Sequence, residues 1–128
     1  MSSHILVIED DQFNLELFKL ILEPEGYDVT LSKIAFEEVS AIAQLKPDLI
    51  ILDFKIGLHQ EGFLLLQKLR MYPPTKAIPV ILCTAALQEV REQEEVLRQK
   101  EIPVIYKPFY VDELLQAVHQ FLPVSSSA

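Results

Sequence analysis

The chain has 128 residues, half of them hydrophobic, a single cysteine and a formal net charge of −8. That length suits one domain around one core, and the apolar content argues against disorder away from the ends. One thiol excludes an internal disulfide, the acidic balance argues against a general nucleic-acid surface, and no apolar run has the length of a bilayer span or the layout of a signal peptide, so a cytoplasmic protein without direct nucleic-acid or membrane contact is expected.

His4-Ile5-Leu6-Val7-Ile8 predicts a short buried strand that stops at Glu9-Asp10-Asp11, because three acids in a row are poor strand formers. From Gln12 the period turns helical, with Phe13, Leu17, Leu20 and Ile21 spaced along one face. Glu23-Pro24-Glu25-Gly26 ends that helix. Tyr27 to Leu31 predicts a second strand, and Ala35 to Leu45 a second helix with Phe36, Val39, Ile42 and Ala43 inward. Lys46-Pro47-Asp48 leads into a third strand, Leu49-Ile50-Ile51-Leu52, whose aliphatic run ends at Asp53. The loop Phe54 to Glu61 precedes a third helix over Gly62 to Met71, carrying Phe63, Leu65, Leu66 and Leu69, with Pro73-Pro74 as a firm stop. Val80 to Thr84 is a fourth strand holding Cys83, whose apolar setting predicts an inert thiol. Leu87 to Lys100 reads as one helix with a narrow stripe of Leu87, Val90 and Leu97 that Glu94 interrupts, the least firmly docked of the set. Pro103 to Tyr106 is a fifth strand, ending at Lys107-Pro108, and the last helix runs from Val111 to Leu122 with Val111, Leu114, Leu115, Val118 and Leu122 inward. The domain is expected to occupy residues 1–123, with 124–128 a flexible tail.

Strict alternation of strand and helix specifies an α/β fold with a parallel sheet covered on both faces. Ten short elements match the flavodoxin-like doubly wound (βα)5 topology, five strands in the order 2-1-3-4-5, whose ligands bind at the carboxyl ends of the strands. Those ends carry Glu9, Asp10 and Asp11, then Asp53, Thr84 and Lys107. Taken singly, each has a bland reading as a solvated acid, a helix cap, a strand end or a surface lysine. Their convergence on one sheet edge argues for chemistry. Crowded carboxylates repel unless a cation intervenes, and an all-oxygen set without His or Cys selects a hard ion such as Mg²⁺. A carboxylate nucleophile, Mg²⁺, an ammonium and a hydroxyl together describe phosphoryl transfer, with Asp53 attacking phosphorus, Lys107 neutralising charge and Thr84 bonding a phosphoryl oxygen. His4, His59 and His119 are scattered without metal spacing, and Phe13, Phe36, Phe63 and Phe121 fit helix core positions.

Ile5 to Asp11, Asp48 to Asp53, Pro79 to Ala85 and Lys107-Pro108-Phe109 occur in order and at separations that span essentially the whole chain. Jointly they resemble a response regulator receiver domain of two-component signalling, CheY-like and of the stand-alone type. The resemblance implies that Asp53 accepts phosphate from a sensor histidine kinase or phosphotransfer protein. It implies that Asp10, Asp53 and the backbone carbonyl of Lys55 bind Mg²⁺, and that Glu9 acts mainly through a metal-bound water. Asp11 falls just outside the acidic pair. The resemblance also implies a cis Lys107–Pro108 bond, a role for Lys55 and Ala86 in tuning phosphate lifetime, and output to a downstream protein, or to a second copy, through the Leu87–Lys100 helix, the fifth strand and the last helix. Two departures stand out. Gly57 occupies the position where receivers carry Pro, with Gly62 one residue late, so the loop after Asp53 is longer by one. The aromatic expected three residues before the lysine is Val104, with Tyr106 displaced along the strand.

The resulting reading is a phosphoacceptor module that catalyses only its own phosphoryl transfer and dephosphorylation. The alternative is a degenerate receiver that binds a partner without phosphorylation. An enzyme of the same topology fits less well. An aspartyl-phosphate phosphatase wants a second acid where Lys55 stands, and a flavin or dinucleotide site wants a Gly- or Thr-rich loop where Glu9-Asp10-Asp11 would repel phosphate.

Overall fold

The computed structural model describes residues 2–33, 39–53, 61–85 and 87–122. Its strands are β1 His4–Ile8, β2 Asp28–Ser32, β3 Leu49–Leu52, β4 Val80–Thr84 and β5 Val104–Tyr106. They form one parallel sheet in the order β2-β1-β3-β4-β5, the order expected for the doubly wound fold. The described helices are α1 Gln12–Leu22, α2 Val39–Leu45, α3 Glu61–Met71, α4 Pro73–Lys76, α5 Leu87–Glu92, α6 Glu94–Gln99 and α7 Val111–Phe121, with a 3₁₀ turn at Glu23–Glu25. Among the described residues no helix is long and apolar enough to cross a membrane.

The central strands are continuous apolar runs because helices cover both faces of the sheet. Every residue of β3 and β4 is buried. Side chains alternate across the pleat, so one strand feeds two cores. Val7, Ile51 and Cys83 pack on the side of Leu15, Phe18 and Leu114 from α1 and α7. Leu6, Ile50 and Leu82 pack on the side of Ile42, Leu66 and Leu97 from α2, α3 and α6.

The register then places the functional edge. Ile8 pairs with Leu52 and Thr84 with Tyr106. The ladder continues one residue beyond the strands: Glu9 N–H donates to Ser32 O at 3.0 Å, Asp53 N–H to Ile8 O at 3.1 Å and Lys107 N–H to Thr84 O at 2.9 Å. Three chemically distinctive residues thus have their backbones tied to neighbouring strands. At the opposite edge, the His4 ring bridges Leu45 O at 3.1 Å and Thr30 Oγ1 at 2.7 Å, a structural role. His59, Phe36 and the side chain of Phe63 lie outside the described residues, as does the 124–128 tail.

Several expectations are corrected. The inward face of α1 is Leu15, Phe18 and Leu22, whereas Phe13 and Leu20 are 70% and 72% exposed. This helix carries two apolar stripes, and periodicity alone does not choose between them. The choice is made by the partners, notably Phe109, whose ring stacks on Phe18 at 5.7 Å. Val111 is 48% exposed, because α7 buries Leu114, Ala117 and Val118 instead. Pro73-Pro74 ends α3 but also opens the short helix α4, where Pro at the first positions sacrifices no hydrogen bond. The stretch Leu87–Lys100 is two helices rather than one. At Gln93 the backbone reaches ψ 4°, and Gln93 N–H bonds Val90 O at 2.9 Å, a tighter turn. That break keeps Val90 and Leu97 both buried and leaves Glu94 exposed instead of on their face. Strand β2 begins at Asp28, one residue late, with Tyr27 buried beneath it.

The two faces of α1 differ enough to measure. Phe18→Ala is expected to destabilise the protein by ~3–5 kcal/mol, and Phe13→Ala to stay within ~0.5 kcal/mol, in urea unfolding. Equal losses for both would reverse the assignment of faces.

Candidate functional site

Glu9, Asp10 and Asp53 each offer a carboxylate oxygen, and these oxygens lie within 4.8 Å of one another. Glu9 and Asp53 are 2% and 8% exposed, while Asp10 is open to solvent. Two adjacent parallel strands create this proximity, since the residues following Ile8 and Leu52 emerge side by side. The fifth strand then delivers Lys107. Its Nζ donates to Glu9 Oε1 and lies 3.4 Å from Asp53 Oδ2, so one ammonium bridges both buried acids. Thr84 is fully buried at the end of β4 along the same edge. The Lys107–Pro108 peptide bond is cis. Lys55 and Ala86 lie outside the described residues.

The third acid of the run has a different task. Asp11 is the N-cap of α1, its Oδ2 accepting Asn14 N–H at 3.2 Å. It therefore starts the helix instead of joining the cluster. Asn14 is the residue that the sequence analysis passed over. Its side-chain amide donates to Glu9 Oε1 at 3.0 Å. Glu9 Oε2 accepts Asp10 N–H at 3.1 Å. The only signal in the sequence was an amide side chain one turn into the helix that follows the acids.

The electrostatics follow from burial. The Glu9 carboxyl is pushed up to about 7 by desolvation and by its hydrogen bond and charge contact with Asp53, which the Lys107 ammonium only partly offsets. Burial alone would lower Lys107, but its bond to Glu9 and the charge of Asp53 outweigh that and hold it above its ordinary value. Cys83 is pushed up to about 12, chiefly by burial, so no thiolate forms at neutral pH. The site combines oxygen ligands without nitrogen or sulfur, a geometry suited to a hard divalent cation such as Mg²⁺.

On β5, Val104 and Tyr106 pack toward the same core, two residues apart as strand alternation requires. Tyr106 stands opposite Thr84 in register, and its buried hydroxyl has no hydrogen-bond partner among the described residues. The displaced aromatic thus stays on the same face of the strand as the position it vacates.

The comparisons with known proteins identify the family of the chain. The family model of the response regulator receiver domain matches residues 5–119, and the chain belongs to that family. Members are signalling modules rather than classical enzymes. The chain is 34% identical over 118 residues to the DNA-binding dual master transcriptional regulator RpaA of Synechocystis, covering 92% of this chain and 48% of that protein. It therefore spans about half the length of that relative. It is 25% identical to sporulation initiation phosphotransferase F of Bacillus subtilis, over 99% of both chains. The receiver domain of sensor histidine kinase PA1611 from Pseudomonas aeruginosa PAO1, described with a magnesium ion coordinated in its active-site cleft, superposes with a TM-score of 0.79 at 26% identity, covering 94% of this chain and 98% of that one.

The raised Glu9 value has a consequence for stability. Between 4.5 and about 7 the folded protein holds a proton that the unfolded chain has released. Stability contributed by this group is full below the lower value and is lost as pH rises through the upper one. In divalent-free buffer, urea unfolding should show stability falling across this window by up to ~3 kcal/mol, and Glu9→Gln should flatten the slope. A slope unchanged in Glu9→Gln would assign the effect to other groups.

Proposed function

We propose that the chain is a phosphoacceptor receiver in which Asp53 takes a phosphoryl group from the phosphohistidine of a sensor histidine kinase or phosphotransfer protein. The observation that carries this reading is the buried Asp53 carboxylate, with two further carboxylates within 4.8 Å and the Lys107 ammonium at 3.4 Å. An Asp53 oxygen forms a bond to phosphorus while the phosphorus–nitrogen bond of the donor imidazole breaks, and the electron pair leaves with the imidazole. Hydrolysis of the resulting acyl phosphate later regenerates the carboxylate. Lys107 moves from its pairing with Glu9 and Asp53 to the phosphoryl oxygens, and the Thr84 hydroxyl donates to one of them. Glu9, Asp10 and Asp53 are the residues that would hold Mg²⁺, which supplies charge neutralisation and alignment of the phosphoryl group when bound. The reading treats residues 1–123 as one receiver unit acting in the cytoplasm.

Output passes to a downstream protein, or to a second copy, through the face formed by α5, α6, β5 and α7. Incubation with acetyl phosphate and Mg²⁺ should add one phosphoryl group that hydroxylamine removes and that Asp53→Asn abolishes. Hydrogen exchange on the same sample should change over residues 87–122. Absence of labelling at saturating donor, or labelling that survives Asp53→Asn, sinks the acceptor assignment, and unchanged exchange sinks the output face.

The donor side has its own support. Phe13, Leu17 and Leu20 recur at helical spacing on α1, and the outer two are largely exposed. The stripe begins three residues after Asp10 in the chain, so a donor protein docked on it would lie near the acidic edge. Phe13→Ala combined with Leu20→Ala is expected to slow phosphotransfer from a phosphorylated histidine kinase at least about tenfold, the scale of losing ~1.4 kcal/mol of binding. Labelling by acetyl phosphate should be unaffected. Equal slowing with both donors would place the defect in the site and not in docking.

A further inference from the structure

We infer that Asn14 is a positioning residue for the acidic site, acting through Glu9. The inference rests on reading Glu9, Asp10 and Asp53 as a divalent-cation site. Asn14 is tied to two of the three consecutive acids at once. Its backbone N–H donates to Asp11 Oδ2, and its side-chain Nδ2 donates to Glu9 Oε1 at 3.0 Å. The first bond fixes where the residue sits at the start of α1. The second carries that placement into the cleft.

Glu9 needs such a partner. A buried carboxylate without donors is costly. Oε2 is held by the neighbouring Asp10 N–H at 3.1 Å. Among the described residues Oε1 accepts from two side chains, Asn14 and Lys107. Lys107 is divided between Glu9 and Asp53, and it is the group that the phosphoryl oxygens would draw away. Once Lys107 turns to them, Asn14 is, among the described residues, the side-chain donor that continues to hold Oε1. Being neutral, it orients the carboxylate without cancelling the charge that attracts a cation. A lysine at position 14 would cancel that charge. A leucine would leave Oε1 to Lys107 and strengthen the hold of Glu9 on the very ammonium the transfer step needs. Outer groups that orient metal-binding carboxylates are typically worth 10–100-fold in affinity.

The test is a Mg²⁺ titration of the full chain followed by amide chemical shifts. Asn14→Leu is expected to weaken Mg²⁺ about tenfold. Asn14→Gln, which keeps an amide donor, should recover most of the loss. In a Glu9→Gln background, Asn14→Leu should have no further effect, because the residue acts only through that carboxylate. Leu22→Ala, a core change on the same helix, controls for destabilisation and should leave Mg²⁺ affinity unchanged. Wild-type affinity in Asn14→Leu, or an undiminished effect in the Glu9→Gln background, overturns the positioning role alone. A wild-type protein that takes no Mg²⁺ overturns the cation reading and this inference with it.

Discussion

Two buried carboxylates crowded at one sheet edge set the conditions that the rest of this structure meets. At an effective dielectric of about 20, two unit charges at the 4.8 Å limit of the cluster repel by roughly 3–4 kcal/mol. The fold relieves this repulsion in three ways. Lys107 bridges Glu9 and Asp53, Glu9 holds its proton toward neutral pH, and Asn14 with the Asp10 amide donates to the Glu9 oxygens. The same crowding gives the edge an all-oxygen acidic cluster with an ammonium beside it.

The sheet makes such crowding possible. Parallel strands put all their carboxyl ends on one side, and the β1–β3 pairing sets Glu9 beside Asp53. The ladder bonds that extend past β1, β3 and β5 hold the backbones of Glu9, Asp53 and Lys107, so the charged side chains project from a rigid frame. The helices beyond are less uniform. The break at Gln93 divides the segment between α5 and α6, and among the described residues Val90 and Leu97 are their deeply buried side chains.

Much of this was legible before any coordinates. Strand runs such as Leu49–Leu52 and Val80–Thr84 are apolar because both faces are covered, and covered strands advertise themselves. The polar residue that ends each run marks the edge, which is why Asp53, Thr84, Lys107 and the acids after β1 stood out together. Helix faces were harder to read. In α1 the sequence Phe-Asn-Leu-Glu-Leu-Phe-Lys-Leu-Ile-Leu is apolar on more than one side, and only Phe109 and the sheet select Leu15, Phe18 and Leu22 as the buried set. In α7 the same ambiguity placed Val111 inward when it is half exposed.

By itself the sequence determined the alternating elements, the strand cores and the kinds of reactive group available, because periodicity and composition are local properties that the chain carries in any conformation. Only the tertiary structure decided which acids act together. Glu9, Asp10 and Asp11 are neighbours in sequence, yet the turn into α1 sends Asp11 to cap the helix while Glu9 faces Lys107 and Asp53. Lys107 is separated from Glu9 by 98 positions, and Asn14 meets Glu9 only because the helix begins where it does. Distances of a few ångströms between such groups depend on strand register and helix entry angle, and those are set by the packing of the whole domain.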